Sequence, residues 1–424
     1  MFLFFQPAYH FLLALGAAVF YGFPARHLKV IGVTGTKGKT TVVELLHQIF
    51  EEVGFKTASL SSLRFKISQK ETRNDFKMTM PGRFFIQKFL HEAVKSGCQY
   101  AILEVTSEGI KQFRHRFINF STAVVTNVSP EHIEAHGSFE RYLRAKLDLF
   151  WRLPAEGNAI VNLDDPNFKR FFASTGAHKV FYGKDAVEIG DRRYAIRDVE
   201  VNIGGINFDV NGVTLSSALL GEFNFYNILA ALALSLNEHV ALEKVSAAVS
   251  KVKNIPGRME FIQKEPFAVV VDYAHTPDSL LGVYKFLKNH RPQATNHKLM
   301  CVLGAAGGGR DKWKRPEFGK IAAEFCDEII LTNEDPYDEN PQDILHQIES
   351  GFSQALNSRS QILSSHKILD RREAIREALK SAKSGDTVVI TGKGAEPWIM
   401  GPGGEKIPWD DREIVREELL KGGG

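Results

Sequence analysis

The stretch Val30–Leu45, VIGVTGTKGKTTVVEL, carries residues that could hold a phosphate. Val30, Ile31 and Val33 read as a short apolar strand. Gly35, Thr36, Lys37 and Gly38 turn the chain, and Lys39, Thr40 and Thr41 open a helix through Val42, Val43, Leu45 and Leu46. A strand, a glycine turn and a helix start aim backbone N–H groups and the positive helix end at one anion. Lys39 would reach the β- and γ-phosphates of a nucleoside triphosphate, and the Thr40 hydroxyl would ligate Mg²⁺. The general P-loop spacing wants glycine at 33, where Val33 stands, so the match is to the variant GTxGKT[ST]. The bland alternative is a glycine-rich turn with a solvated lysine. It does not account for Gly, Lys and Thr coinciding with the right flanks.

Further along lie other groups of the same chemistry. Tyr100–Val105 reads as a buried strand bearing Glu104 at its end, the place for an acidic Mg²⁺ ligand beside a phosphate loop. The apolar run Ala123–Val128 leads into Pro130-Glu131-His132-Ile133-Glu134-Ala135-His136-Gly137, followed by a helix with Lys146. His132 and His136 are four apart, but no third ligand is evident, so one magnesium-ligating histidine is the better reading. In the last third, polar residues fall at the ends of apolar runs: Asp272, Tyr273, His275, Arg310, Asp311, Glu334, Asp335, Gly392, Lys393 and Glu396.

These groups need a scaffold, and the chain has length for one. Its 424 residues suffice for two or three domains, with 44% apolar and 24% charged content ordinary for a globular protein. A net charge of +3 and the lack of a basic stripe interleaved with aromatics give no sign of nucleic acid. The three cysteines, Cys98, Cys301 and Cys326, lie far apart without a CxxC, which fits a reducing compartment and argues against zinc. Residues 1–25 contain no Asp, Glu, Lys or Arg, and Arg26, His27 and Lys29 follow. A spanning helix needs about 20 predominantly apolar residues. Gln6, Pro7 and His10 interrupt this stretch, so two readings stand: a membrane anchor with its basic flank in the cytoplasm, or a helix packed on the enzyme or a partner.

Lys56–Ser61 reads as a strand, Lys66–Met80 as a polar substrate-facing loop, and Pro81–Ser96 as an amphipathic helix. Asn158–Asn162 and Lys179–Phe181 extend the first sheet, and Val187–Leu219 is β-rich with turns at 190–191, 204–205 and 211–212. Asn224 is placed to cap the Ala-rich helix Tyr226–Leu236, and Asn227 less so, since it already lies inside that helix. From Ile255 the pattern restarts, with strands Ala268–Val271, Leu299–Leu303, Glu328–Thr332 and Thr387–Thr391 alternating with helices. That alternation implies a second parallel sheet, with ligands beyond the carboxyl ends of its strands. The fold expected is α/β: a central P-loop-type ATPase domain with a parallel sheet and a β-rich part, then a Rossmann-like doubly wound domain. The expected boundaries are 1–28 (apolar helix), 29–255 (ATP-binding) and 256–424 (amino-acid-binding). The closing Gly422–Gly424 reads as a frayed end.

Taken together the motifs resemble the Mur ligase family, most closely its MurE-type branch, from about Lys29 to Leu420. The residues that carry the resemblance are GTKGKTT (35–41), EVTSEGI (104–110), TNVSPEHIEAHGSFERYLRAK (126–146), GEFNFYN (221–227), PGRME (256–260), DYAHTPDSL (272–280), GGGRDKWKRP (307–316), GKGAE (392–396) and DDRE (410–413). The resemblance implies ATP-driven amide-bond formation through an acyl phosphate, with ATP and Mg²⁺ as cofactors and a muramyl peptide and an amino acid as substrates, in the cytoplasm or at the inner face of the membrane. It implies Lys39 on the phosphates, Thr40 and Glu104 around one Mg²⁺, His132 on a second, and Lys146 as a carbamylated lysine that ligates or orients magnesium. Asn227 and Arg258 match nucleotide-contacting positions, and Asp272 a ribose or active-site carboxylate. Thr79, Thr106, Gln112 and Arg114 match the muramyl-dipeptide site. Arg310, Glu334, Asp335, Gly392 and Glu396 match the amino-acid site, Arg310 as a bidentate fork for the carboxylate.

The departures carry expectations of their own. Diaminopimelate-specific members carry DNPR where this chain has Glu334-Asp335-Pro336-Tyr337, which leaves lysine, ornithine or another amine open. The usual TTP reads Thr79-Met80-Pro81, SSH reads Thr106-Ser107-Glu108, and DH reads Glu131-His132. About 28 residues precede the ATP domain, far below the ~100 of a typical domain, so the family's N-terminal uridine-nucleotide domain is expected to be missing. The acceptor's nucleotide is then gripped less, contacted by a partner, or replaced by a lipid-linked group. Two alternatives stand beside the muramyl ligase: a folylpolyglutamate or poly-γ-glutamate type ligase, and a non-catalytic nucleotide-binding scaffold.

Overall fold

The computed structural model describes residues 2–290, 297–356 and 364–422. The tail residues Gly423 and Gly424 lie outside the described residues. The chain divides into two compact units: Met1–Glu131 with His136–Lys253, and His132–Ala135 with Asn254–Gly424.

The first unit is built on strand β1 (Lys29–Thr34), buried at every position but its first. A largely apolar run bounded by a glycine turn is what a doubly covered central strand requires. Parallel partners flank it, β5 (Tyr100–Glu104) and β6 (Phe120–Val125), in a register that sets Val33 beside Glu104 and Thr34 beside Val125. Outward from β5 lie β2 (Thr57–Leu60), β3 (Arg64–Ile67) and β4 (Lys70–Arg73). Outward from β6 lie β7 (Asn158–Asn162), β8 (His178–Gly183), β9 (Ala186–Ile189), β10 (Arg192–Asn202), β11 (Gly205–Val210) and β12 (Val213–Ser217). The sheet order is β12-β11-β10-β9-β8-β7-β6-β1-β5-β2-β3-β4, parallel from β2 to β8 and antiparallel beyond both.

The polar segment Lys66–Met80 is in part a hairpin. β3 and β4 pair antiparallel around Ser68, whose φ of 51° makes the turn. Exposed β4 buries nothing and so leaves no apolar alternation in the sequence.

Helix α1 (Phe2–Phe20) packs on α3 (Arg83–Lys95), burying Ala14, Ala17 and Ala18. Among the described residues no helix is long and apolar enough to cross a membrane. The Ala-rich helix starts earlier than expected, at Glu222 with Gly221 as N-cap, so Asn224 and Asn227 both lie inside it and neither caps it.

The second unit holds β13 (Glu260–Gln263), β14 (Ala268–Asp272), β15 (Leu299–Leu303), β16 (Glu328–Leu331), β17 (Ser364–Lys367) and β18 (Thr387–Thr391), in the order β13-β14-β18-β15-β16-β17. All are parallel except the edge strand β13. Sequence reasoning missed both edges, which are short and half-polar. The reading of three separate thiols fails for two of them: Cys301 on β15 and Cys326 after the helix Lys314–Phe325 form a disulfide, Cα to Cα 6.1 Å. Their separation of 25 residues spans one strand–helix excursion, which returns the chain beside its starting strand. The reducing-compartment inference loses its premise for this pair.

Candidate functional site

In the first unit the glycine turn is held from several sides. α2 (Lys39–Glu52) has Gly38 as its N-cap, at φ 80°, with no side-chain cap. A β-carbon at Gly38 would sit 2.1 Å from Asn227 Oδ1, so Asn227 lies against the turn and only glycine fits. From the end of β6, the Asn127 carbonyl accepts Thr36 N–H at 2.8 Å and its Oδ1 accepts Lys37 N–H at 3.1 Å. The Thr126 hydroxyl donates to the Lys37 carbonyl at 2.6 Å. Lys39 Nζ reaches back to the Thr36 carbonyl at 2.9 Å.

Thr40 and Glu104, the two expected oxygen ligands, are brought together: Thr40 Oγ1 donates to Glu104 Oε2 at 2.9 Å. Ser62 completes the group, its N–H donating to the same Oε2 at 2.9 Å and its hydroxyl 2.8 Å from Thr40 Oγ1. Lys146, on the helix Phe139–Trp151, is buried and donates to the Gly35 carbonyl at 2.6 Å. Burial, reinforced by the charge of Lys39, holds its amine well below the usual lysine range, with Glu131 and Glu104 pulling the other way. Tyr142, one turn before it, lies 4.4 Å from Lys146 Nζ by ring centroid, and its hydroxyl is 3.0 Å from Thr36 Oγ1. His132 is counted with the second unit, where Asp311 accepts the N–H groups of Ile133 at 3.2 Å and Glu134 at 2.9 Å.

The expected acceptor residues form a neighbouring group. Thr106 N-caps α4 (Ser107–Lys111) by accepting Gly109 N–H at 3.1 Å. Arg114 donates to the Met80 carbonyl and, at 2.6 Å, to Gln112 Oε1, while Thr79 sits half-buried just before Met80. His136, one of the two histidines weighed for metal, is buried with Nε2 3.1 Å from Ser107 Oγ.

In the second unit the polar residues gather where the parallel strands end. Asp272 accepts Met259 N–H and Ala274 N–H, each at 2.6 Å, tying the 256–260 turn to β14, and burial raises its carboxyl. Arg258 stacks over Tyr273 at 4.0 Å. Beyond β18, wholly buried Lys393 donates to Asp335 Oδ1 at 2.8 Å and Glu396 Oε2 at 2.6 Å, and the Tyr273 hydroxyl donates to Glu396 Oε1 at 3.0 Å. Glu334 is buried beside Gly392, its Oε2 without a hydrogen-bond partner. Burial first, then the charge of Asp335, push its carboxyl up to about 7. Exposed Arg310 is hydrogen-bonded to Tyr337.

Sequence reasoning missed Ser62, Thr126, Asn127 and Tyr142 as parts of the first site. Tyr142 was findable, four residues before Lys146 on one helix; Ser62 lies in a loop with no motif of its own.

Comparison with known proteins gives the same picture. Residues 33–235 match the Mur ligase middle domain, and residues 257–394 match the Mur ligase glutamate ligase domain. The chain is 35% identical over 418 residues to a UDP-N-acetylmuramoyl-L-alanyl-D-glutamate--2,6-diaminopimelate ligase of Syntrophomonas wolfei subsp. wolfei, covering 97% of this chain and 82% of that protein. The chain belongs to the Mur ligase family. A solved UDP-N-acetylmuramoyl-L-alanyl-D-glutamate--2,6-diaminopimelate ligase superposes with a TM-score of 0.62 at 31% identity, over 94% of this chain and 79% of the other. A Mycobacterium tuberculosis folylpolyglutamate synthase superposes with a TM-score of 0.73 at 17% identity, over 97% and 95% of the two chains, which speaks for the fold alone. This Mur ligase thus has the α/β fold expected, with a large mostly parallel sheet and a separate C-terminal sheet.

Proposed function

We propose that this Mur ligase joins the amine of an amino acid to a side-chain carboxylate of a muramyl dipeptide at the expense of ATP, in cytoplasmic synthesis of peptidoglycan precursors. The observation that carries the reading is the Thr40–Glu104 contact at the foot of the glycine turn, with Lys39 and Lys146 on the same turn. The 35% identity to a diaminopimelate ligase over nearly the whole chain supports the acceptor class.

The donor set suits magnesium: a hydroxyl and a carboxylate already 2.9 Å apart are hard oxygen ligands. Bound there, Mg²⁺ would neutralise phosphate charge and polarise the transferring group. The amides at the start of α2 would cradle the phosphates, and Lys39 would exchange its carbonyl contact for them. Lys146, with its amine biased toward the free base, is suited to take up carbon dioxide: the nitrogen bonds to carbon, one proton leaves, and a carbamate anion remains. Arg114 and Gln112 would hold the acceptor. Its carboxylate oxygen attacks the γ-phosphorus, the bond to the ADP oxygen breaks, and an acyl phosphate forms. The amine then adds to the carbonyl carbon, loses a proton and expels phosphate.

In the second unit Arg310 would grip the amino acid's carboxylate as a fork. Glu334, Asp335, Gly392 and Glu396 would form the rest of that pocket, while in the first unit Asn227, against the glycine turn, would contact the nucleotide. With Tyr337 replacing an arginine, the pocket offers one fewer cation for a second carboxylate.

The test is phosphate release with ATP, Mg²⁺ and UDP-MurNAc-L-Ala-D-Glu against a panel of amino acids. Turnover that requires the muramyl acceptor is the expected result. Turnover only with a folate or polyglutamate acceptor would transfer the chain to the other ligase class, and ATP binding with no release for any pair would leave a scaffold.

A further inference from the structure

We propose that the outward face of α1, with the cations around it, docks this protein on an anionic lipid surface, the helix lying in the interface plane rather than crossing it. The inward face, Ala14, Ala17 and Ala18, is buried. The outward face shows Tyr9, Leu12, Val19 and Phe20 at 59%, 64%, 59% and 73% exposure, and no charged residue occurs from Pro7 to Phe20. The patch runs onto α3, where exposed Phe84 lies 6.3 Å from Phe20 by ring centroid. A helix apolar on both faces needs cover on both. Contiguous apolar surface of this kind, edged by charge, marks a contact site.

The edge decides what the cover is. There is no Asp or Glu before Glu44; Arg26 follows α1 directly and is exposed, as is Lys29, whose Nζ is paired with Glu238 at 2.8 Å. Lys88 is exposed on α3, four residues past Phe84, with Glu92 3.8 Å away as the one nearby acid on that helix. Arg83 and Arg114 direct donors to the carbonyls of Gln112 and Met80 rather than to carboxylates. His10 lies close enough to both that their charges, after burial, hold its imidazole below the ordinary range. A second copy meeting this face about a two-fold axis would set cations against cations. Anionic headgroups over an acyl layer match both the rim and the centre, the pattern of interfacial helices. Among the described residues no helix, α1 included, is long and apolar enough to cross a membrane.

The experiment is co-sedimentation of the full chain with vesicles of phosphatidylcholine alone or with about 30% phosphatidylglycerol. Retention on the anionic vesicles, largely reversed by about 0.5 M salt, is expected. The triple variant Leu12→Gln, Val19→Gln, Phe20→Ser should lose at least ~10-fold in partitioning. Arg26→Ala and Lys88→Ala should each lose about 5-fold, the equivalent of one cation near an anionic surface. Both sets should keep ATP-dependent phosphate release. Should the triple variant not fold, Phe20→Trp serves instead, its emission shifting to the blue on adding anionic vesicles. No retention, equal retention on neutral vesicles, unshifted Trp emission, or a salt-stable dimer that ignores vesicles would each overturn the proposal.

Discussion

Glu334 gives the sharpest prediction. A carboxyl raised from 4.5 to about 7 in the folded state binds its proton more tightly there than in the unfolded chain. The stabilisation is therefore fully present below about pH 4.5 and is lost as pH rises through about 7. A rise of that size is worth on the order of 3 kcal/mol, most of which disappears between pH 5 and pH 8. Glu334→Gln keeps shape and volume beside Gly392 and carries no proton to lose. The variant should therefore gain on the parent by roughly 2–3 kcal/mol from pH 5 to pH 8, whatever the offset between them at low pH. For a unit of this size that is roughly 5–10 °C in the midpoint of thermal unfolding. Calorimetry or circular dichroism on both proteins at half-unit pH steps measures it. Curves that stay parallel to within ~0.5 kcal/mol would mean that Glu334 is ionised in the fold at ordinary cost, and the reasoning from its burial and from Asp335 would be refuted.

Three further outcomes follow from the same geometry. Thr40→Ala removes a hydroxyl bonded to a buried carboxylate, a contact worth ~1.5–3 kcal/mol, so kcat/KM for ATP should fall by roughly 10- to 100-fold while Thr40→Ser stays within about 3-fold; equal values for Ala and parent would remove Thr40 from the site. Lys146→Ala should lower steady-state phosphate release by at least ~10³-fold, with partial recovery on adding short carboxylic acids if a carbamate is the working form; unchanged release would make Lys146 a packing residue. Asp411→Ala strands Arg371, whose Nε and Nη2 are held by Asp411 at 2.8 Å in a fully buried pair, and should cost about 3–5 kcal/mol in chemical denaturation, with Arg371→Met on the same background restoring part of it.

What was legible in the sequence was what is local. The turn at 35–41 announces itself because strand, glycines, lysine and threonines are consecutive, and the apolar cores of β1, β5, β6, β14, β15 and β18 announce themselves because both their faces are covered. The partners that fix the turn were not legible. Ser62, Thr126 and Asn127 reach it only through sheet neighbours fixed by tertiary packing, and no spacing rule links residue 62 to residue 104. The edge strands β4, β13 and β17 were missed for the converse reason: a strand with little to bury shows no alternation. Asn224 and Asn227 carried a cap signal that Gly221 overrode by starting the helix a turn earlier. The pairing of Cys301 with Cys326 was hidden by an intervening helix.

The grip that β6 and its following residues keep on the glycine turn has a kinetic side. Amide and carbonyl groups of Thr36 and Lys37 are already committed to Thr126 and Asn127, and the Gly35 carbonyl to Lys146. A triphosphate arriving at such a turn finds its backbone already held in shape, so little conformational entropy is surrendered at the moment of capture. Nucleotide should then associate in one fast phase, and loosening Asn127 would appear first as a slower, two-step approach to saturation.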